Sequence, residues 1–375
     1  MSGKEFPTQY FLGILVHLLD TVQHKNVSYM HEGWVKNLSY AYAQAAKHFV
    51  QLHVLEGLRN VKPKKLEAAL QTITGMVVYC WLMASLTIHY TYTLLLDDSD
   101  GDPEPMMRNF FGDMMAGRSS STRGGSSSMS TSPTTIDFFE GCWIEQYAFH
   151  GYKGSEDYPD FLWRMNGLGH TVRASIWPAV QFNEWQLFRE ITTAVAMMEN
   201  WMVWVNDLIS YYKEFNNPQD QTSLVNNYCR VSDLSLSEGL EKLMANTLCI
   251  TEQIVAVFAN KDPAVTQTLT KFMHGYITWH LCDKRYHMSE MLEHAHEDDP
   301  VGTCFHQYFA AANDVGRINP VEWTEPSFLG MYQQQQQCEA EEIATNEGSY
   351  YGFLSLSSWL PSLNLNRVLA FGEAH

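Results

Sequence analysis

Five acidic side chains fall within eight residues of this chain. Asp97, Asp98, Asp100, Asp102 and Glu104 follow directly on the apolar run Leu94-Leu95-Leu96. Asp97 and Asp100 are three apart, and Asp100 and Glu104 four apart, spacings that put side chains on one face if a helix persists. Hard carboxylate oxygens grouped in this way suit Mg²⁺, which takes few protein ligands and keeps waters or phosphate oxygens. A solvated acidic helix end is the competing reading. A second set lies about a hundred residues on, where Asn206, Ser210 and Glu214 stand at i, i+4 and i+8. Such residues drift only about 40° in eight positions, so an amide, a hydroxyl and a carboxylate line one stripe. Three oxygen donors of mixed charge can hold one hard cation. Lys213 sits beside the stripe, placed to meet an anion that the cation also holds. The alternative is an ordinary polar stripe at a helix end, although Asn and Ser are mediocre helix formers and here follow the apolar Trp201-Met202-Val203-Trp204-Val205.

The elements that must carry these residues read as helices. Ile191, Val195, Met198, Met202, Val205, Ile209 and Tyr212 recur at three- and four-residue steps, and 237–258 repeats the pattern. Strand signals are scarce. The chain is therefore expected to be all-α, with one domain over 1–325. Two segments break the pattern: the Ser/Gly-rich 117–135, expected to be a flexible loop, and 326–375, expected to be a loosely ordered tail holding Gln333–Gln337. From Ala68 to Leu96 there is no Asp, Glu, Lys or Arg, a length that can span a bilayer. His89, Tyr90, Thr91, Tyr92 and Thr93 break its second half, and Asp97-Asp98 close it without a basic anchor. A fully buried helix is the better expectation.

Composition sets the outer limits. The 375 residues hold 24 Lys+Arg against 42 Asp+Glu, a net charge of −18, with 45% hydrophobic and 13% aromatic residues. That is too apolar for a disordered chain and too acidic for a nucleic-acid partner. An anionic substrate would need metal ions or local donors. Seven cysteines without a CxxC pair argue against a disulfide framework and for a reducing, cytoplasmic setting. The run from Tyr10 to Leu19 is interrupted by His17, lacks a cleavage site and makes a poor signal peptide. Glu293-x-x-His296 occurs once, whereas a di-iron bundle needs two such pairs. His287, His294 and His296 are expected to form an exposed polar cluster, and the cysteines to be buried and inert.

Asp97-Asp98-Ser99-Asp100 resembles the aspartate-rich motif of class I terpene cyclases, and Asn206/Ser210/Glu214 matches their Asn-Ser-Glu triad. The stretches GMVVYCW, IHYTYTLLLDDS, DFFEGCWIEQY, RMNGLGH, MENWMVWVNDLISYYKEF and FMHGYITWHLCDKRY look more closely like the fungal trichodiene synthase family. The resemblance runs from about Phe6 to Trp323, with the Ser-rich segment as its main gap. It implies a single-domain helical bundle around an apolar cavity. It also implies farnesyl diphosphate as substrate, trichodiene as product, a three-ion Mg²⁺ cluster and a homodimer. Asp97, Asp98, Asp100, Asn206, Ser210 and Glu214 would hold metal, with Asp97 and the triad in the catalytic role. Lys213, Arg285 and Tyr286 would grip the diphosphate. Tyr90, Tyr276 and Trp279 are the aromatic candidates for the cavity wall, each of which, without the resemblance, reads first as plain core.

Departures accompany the resemblance. Where the family reads Arg-Arg-Met-Asn-Gly, this chain has Trp163-Arg164-Met165-Asn166-Gly167. The first of those arginines is taken as the family's diphosphate sensor, so either Arg164 substitutes for it or sensing is lost. The Ser-rich 117–135 replaces a longer, Trp- and Phe-containing helical region, and the segment between Trp81 and Ser85 is short. A catalytically impaired homologue, a cyclase with another product and a non-catalytic helical binding protein are the alternatives these leave.

Overall fold

Spaced apolar residues and well-placed caps turn most of this chain into helix. The computed structural model describes residues 6–24, 30–58, 60–80, 84–97, 141, 144–145, 149–165, 175–178, 181–183, 185–215, 217, 221–316 and 318–338. Among them the helices are α1 (Thr8–Thr21), α2 (His31–Phe49), α3 (Leu52–Gly57), α4 (Pro63–Cys80), α5 (Ala84–Asp97), α6 (Tyr158–Arg164) and α7 (Phe188–Phe215). They continue with α8 (Leu224–Ser232), α9 (Leu236–Phe258), α10 (Pro263–Cys282), α11 (Met288–Glu293) and α12 (Pro300–Gly316). No strand occurs among the described residues, as the sequence led one to expect.

The long helix α7 buries Ile191, Met198, Met202, Val205 and Ile209, the stripe visible in the sequence. It packs against α9 and α10, and α10 packs in turn on α4 and α12. The helix expected over 237–258 begins one residue earlier, fixed by a capping box. Ser235 Oγ accepts from the Glu238 N–H, and the Glu238 carboxylate accepts from the Ser235 N–H at 2.7 Å. Asp262 caps α10, with Pro263 at its first position.

The charge-free stretch resolves into α4 and α5, which pack on one another and on α2. No described helix is long and apolar enough to cross a membrane. Described structure continues past the boundary expected at 325. Phe328 is fully buried and donates its backbone N–H to Tyr42 Oη at 2.7 Å, Trp323 meets the Tyr42 ring edge-on, and 328–338 is helical. Burial of those aromatics attaches this segment to the main body. Residues 339–375 and the Ser-rich 117–135 lie outside the described residues.

Candidate active site

The C-terminal half of α7 meets the end of α10 and the 3₁₀ turn Lys284–Tyr286 that follows it. This crossing unites residues far apart in sequence. Asn206 Nδ2 lies 3.1 Å from His280 Nε2 and 3.4 Å from Tyr286 Oη. Ser210, one turn on, is 1% exposed, and its Oγ has no hydrogen-bond partner among the described residues. A helical serine ordinarily returns its hydroxyl to the carbonyl four residues back. Leaving it buried and unpaired costs about 1–3 kcal/mol. Such a group calls for a partner beyond the described residues. A further turn along, the Glu214 carboxylate stands 3.7 Å from Lys213 Nζ, both partly buried.

The turn that carries Arg285 and Tyr286 is held from below. Asp283 Oδ1 accepts from the Arg285 backbone N–H at 2.9 Å and from Thr72 Oγ1 at 3.4 Å. Burial pushes its carboxyl above the usual range, against those donors. Tyr286 is buried with its ring 4.3 Å from that of His280. Burial drives the His280 pKa down to about 3, and the positive charges of Lys213 and Arg285 act in the same sense. Both cations therefore bear on the place where Asn206 and Tyr286 meet. One acidic group is buried there too: Asp207 is pushed up to about 8, first by burial and next by the charge of Glu214.

Asn206, Ser210, Lys213, Glu214, Arg285 and Tyr286 thus share one neighbourhood. Asp97 is the last residue of α5, and Asp98 and Asp100 lie outside the described residues. Tyr90, Tyr276 and Trp279 are all buried. Tyr276 lies 5.9 Å from the Trp279 ring and donates to the Met202 carbonyl at 3.4 Å, while the Trp279 indole donates to the Thr72 carbonyl at 3.2 Å. Arg164 stands exposed at the end of α6, whereas Trp163 points inward and donates its indole N–H to Asp207 Oδ1 at 2.6 Å. Tryptophan has one donor, so nothing remains at that position for a diphosphate.

Sequence reasoning missed His280, Asp283 and the Trp163–Asp207 bond. Asp283 left a signal, as an Asp two residues before Arg285 is a turn cap. His280 left only its place four residues after Tyr276. The histidine cluster is exposed as expected, with His287 Nδ1 on Glu290 Oε1 at 2.5 Å and His294 and His296 at the surface. Among the cysteines Cys80 is part-buried, but Cys249 and Cys338 are exposed, against expectation.

Comparison with known proteins shows the family. The family model described as Trichodiene synthase (TRI5) matches residues 5–345. The trichodiene synthase of Fusarium sporotrichioides is 50% identical over 346 residues, covering 86% of this chain and 92% of that protein. That of Stachybotrys chartarum is 48% identical over 367 residues, covering 91% and 96%. That of Fusarium poae is 49% identical over 348 residues.

Proposed function

The chain belongs to the trichodiene synthase family, and from that membership we propose how its own residues ionise farnesyl diphosphate and close the cation to trichodiene. The protein is a sesquiterpene cyclase, a lyase acting on a diphosphate. Heterolysis of the allylic C–O bond leaves both electrons on the departing diphosphate. The carbon cation then closes rings and ends as a neutral hydrocarbon by losing a proton.

The observation that carries the residue assignment is the buried Ser210 hydroxyl, without a hydrogen-bond partner among the described residues and set one turn from Asn206 and one turn from Glu214. An amide oxygen, a hydroxyl and a carboxylate form a hard donor set that fits Mg²⁺. Asp97, the last residue of α5, with Asp98 and Asp100 after it in the sequence, completes the proposed ligand set. When bound, the cations supply Lewis-acid neutralisation of the leaving group. Lys213, Arg285 and Tyr286 hold the diphosphate oxygens, Arg285 by its planar fork and Lys213 as a point charge. Arg164, exposed, is assigned to the same anion only as an outer contact. Tyr90, Tyr276 and Trp279 present ring faces that stabilise a desolvated cation by about 2 kcal/mol or more while offering no strong nucleophile. A homodimer in the cytoplasm belongs to the same proposal.

Incubation with farnesyl diphosphate and Mg²⁺, followed by gas chromatography–mass spectrometry, is expected to give trichodiene. Folded protein that yields no hydrocarbon would overturn the activity. Glu214→Ala is expected to lower turnover about 100-fold or more with helix content unchanged, since a ligand to the metal contributes several kcal/mol. Turnover within a few-fold of wild type would remove the triad from the mechanism.

A further inference from the structure

An asparagine amide is nearly symmetric in shape, and its neighbours' donors and acceptors decide which prong is oxygen. A metal ligand must offer the oxygen; the flipped amide would turn its N–H groups on the cation. At Asn206 the choice is made by His280. Nδ1 of that ring lies 2.7 Å from the Tyr276 carbonyl oxygen, which can only accept, so Nδ1 carries the proton. In the neutral ring Nε2 then bears a lone pair, and the atom 3.1 Å away, Asn206 Nδ2, is its donor. The Tyr286 hydroxyl oxygen, 3.4 Å away, is its second acceptor. The imidazole has little freedom to turn aside. It is fully buried, with the rings of Tyr276, Trp279 and Tyr286 at 4.5, 4.6 and 4.3 Å. Reversing the amide would set its oxygen against the imidazole lone pair.

We propose that His280 is a positioning residue, fixing the Asn206 amide with nitrogen toward α10 and oxygen toward the metal. The inference rests on Asn206 being a metal ligand, as assigned above. His280 touches neither metal nor substrate. It acts through one hydrogen bond, in the manner of groups that orient the ligands of metal sites.

The test uses the full chain with inorganic pyrophosphate and Mg²⁺, read by calorimetry and by the Mg²⁺-dependent rise in melting temperature. His280→Phe keeps a ring and removes the acceptor. It is expected to weaken Mg²⁺–pyrophosphate binding 10–100-fold and to lower kcat more than it raises KM. His280→Gln, whose amide oxygen reaches the place of Nε2, is expected to recover most of that loss. Wild-type binding in His280→Phe, or no recovery in His280→Gln, overturns the proposal. Because the phenylalanine variant risks misfolding, ¹⁵N-histidine NMR of the wild-type protein supplies an independent reading. An Nδ1–H tautomer at His280 is expected, and an Nε2–H tautomer overturns the proposal. Asn206→Ala separates the two levels. If it binds Mg²⁺–pyrophosphate normally, the ligand assignment falls and takes the positioning role with it. If it binds weakly while His280→Phe does not, the positioning role alone falls.

Discussion

At the scale of single residues, the most consequential departure from the expected pattern is Trp163. The resemblance asks for an arginine that reads diphosphate at this position, and the structure gives a strut instead. The indole N–H is held by Asp207 at 2.6 Å, and the other oxygen of Asp207 accepts the Leu224 N–H at 2.7 Å, at the first turn of α8. One buried carboxyl thereby joins α6, α7 and α8, immediately beside Asn206. Trp163→Phe keeps most of the apolar area and strips the donor, leaving an Asp207 oxygen buried and unpaired. The expected cost is about 1–3 kcal/mol in urea unfolding. Affinity for Mg²⁺–pyrophosphate should stay within a few-fold of wild type, because the lost N–H never faced the anion. A large drop in that affinity with stability unchanged would return Trp163 to the substrate grip. The substitution was visible in the sequence. Its partner, 44 residues away, was not.

At the scale of elements, the site depends on how closely α10 approaches α4. A Cβ at Gly275 would lie 2.1 Å from the Tyr79 carbonyl oxygen and 2.8 Å from its carbon, so here the helices meet backbone to backbone. Gly275 directly precedes Tyr276 and stands less than two turns before His280. Gly275→Ala must push the helices apart, an overpacking that costs about 1–3 kcal/mol. It should also shift His280 and Tyr286 and so lower turnover. Gly75→Ala is the matched control: its Cβ would sit 3.7 Å from Trp279 and from Tyr79, ordinary contact, and alanine is the better helix former. Thermal unfolding should separate the pair, and equal melting temperatures would refute the close approach as a constraint. What the sequence disclosed was periodic: the stripe on α7, the start of α9 to within one residue and the triad's spacing. A glycine inside a helix reads only as a weak point, because its reason lies on another helix. His280 was hidden in the same way, since its meaning depends on Asn206, 74 positions away. Phe328 was hidden by the company of the Gln run, which outweighed one aromatic in the compositional reading.

At the scale of the molecule, the net charge of −18 coexists with buried titratable groups of opposite effect. The aromatic fraction is spent largely on core, with Trp34, Trp177, Trp201 and Tyr42 almost wholly buried. Into that core are set two histidines that burial keeps neutral. His24 is lowered to about 4 and His280 to about 3. His24 Nε2 meets Thr278 Oγ1 at 3.0 Å, and its ring faces those of His274 and Tyr308, the latter bonded to Asp20. Both folded pKa values lie below the ordinary 6.5, so between 6.5 and about 4 the unfolded chain binds more protons than the native one. Their contribution is complete above 6.5 and is lost as pH falls, by about 1.4 kcal/mol per pH unit for each. Asp207 runs the other way. Its folded pKa of about 8 is raised from 3.8, so its contribution is complete below 3.8 and is lost as pH rises through 8. Over the acid limb the histidines, joined by His48, whose pKa burial also lowers, oppose Asp207, joined by Asp283, whose carboxyl burial raises. Above 6.5 the neutral histidines contribute no slope, and Asp207 lowers stability as pH rises toward 8. Urea titrations at half-unit steps, run on the wild type and on single variants, separate these opposed slopes. His24→Gln, which retains a hydrogen-bonding group toward Thr278, should make stability fall less steeply as pH drops below 6.5, by about 1.4 kcal/mol per unit, and Asp207→Asn should make the decline above 6.5 shallower. An acid limb as steep in His24→Gln as in the wild type would mean that His24 takes up its proton in the folded protein, and that the core around it is wetter than its burial implies.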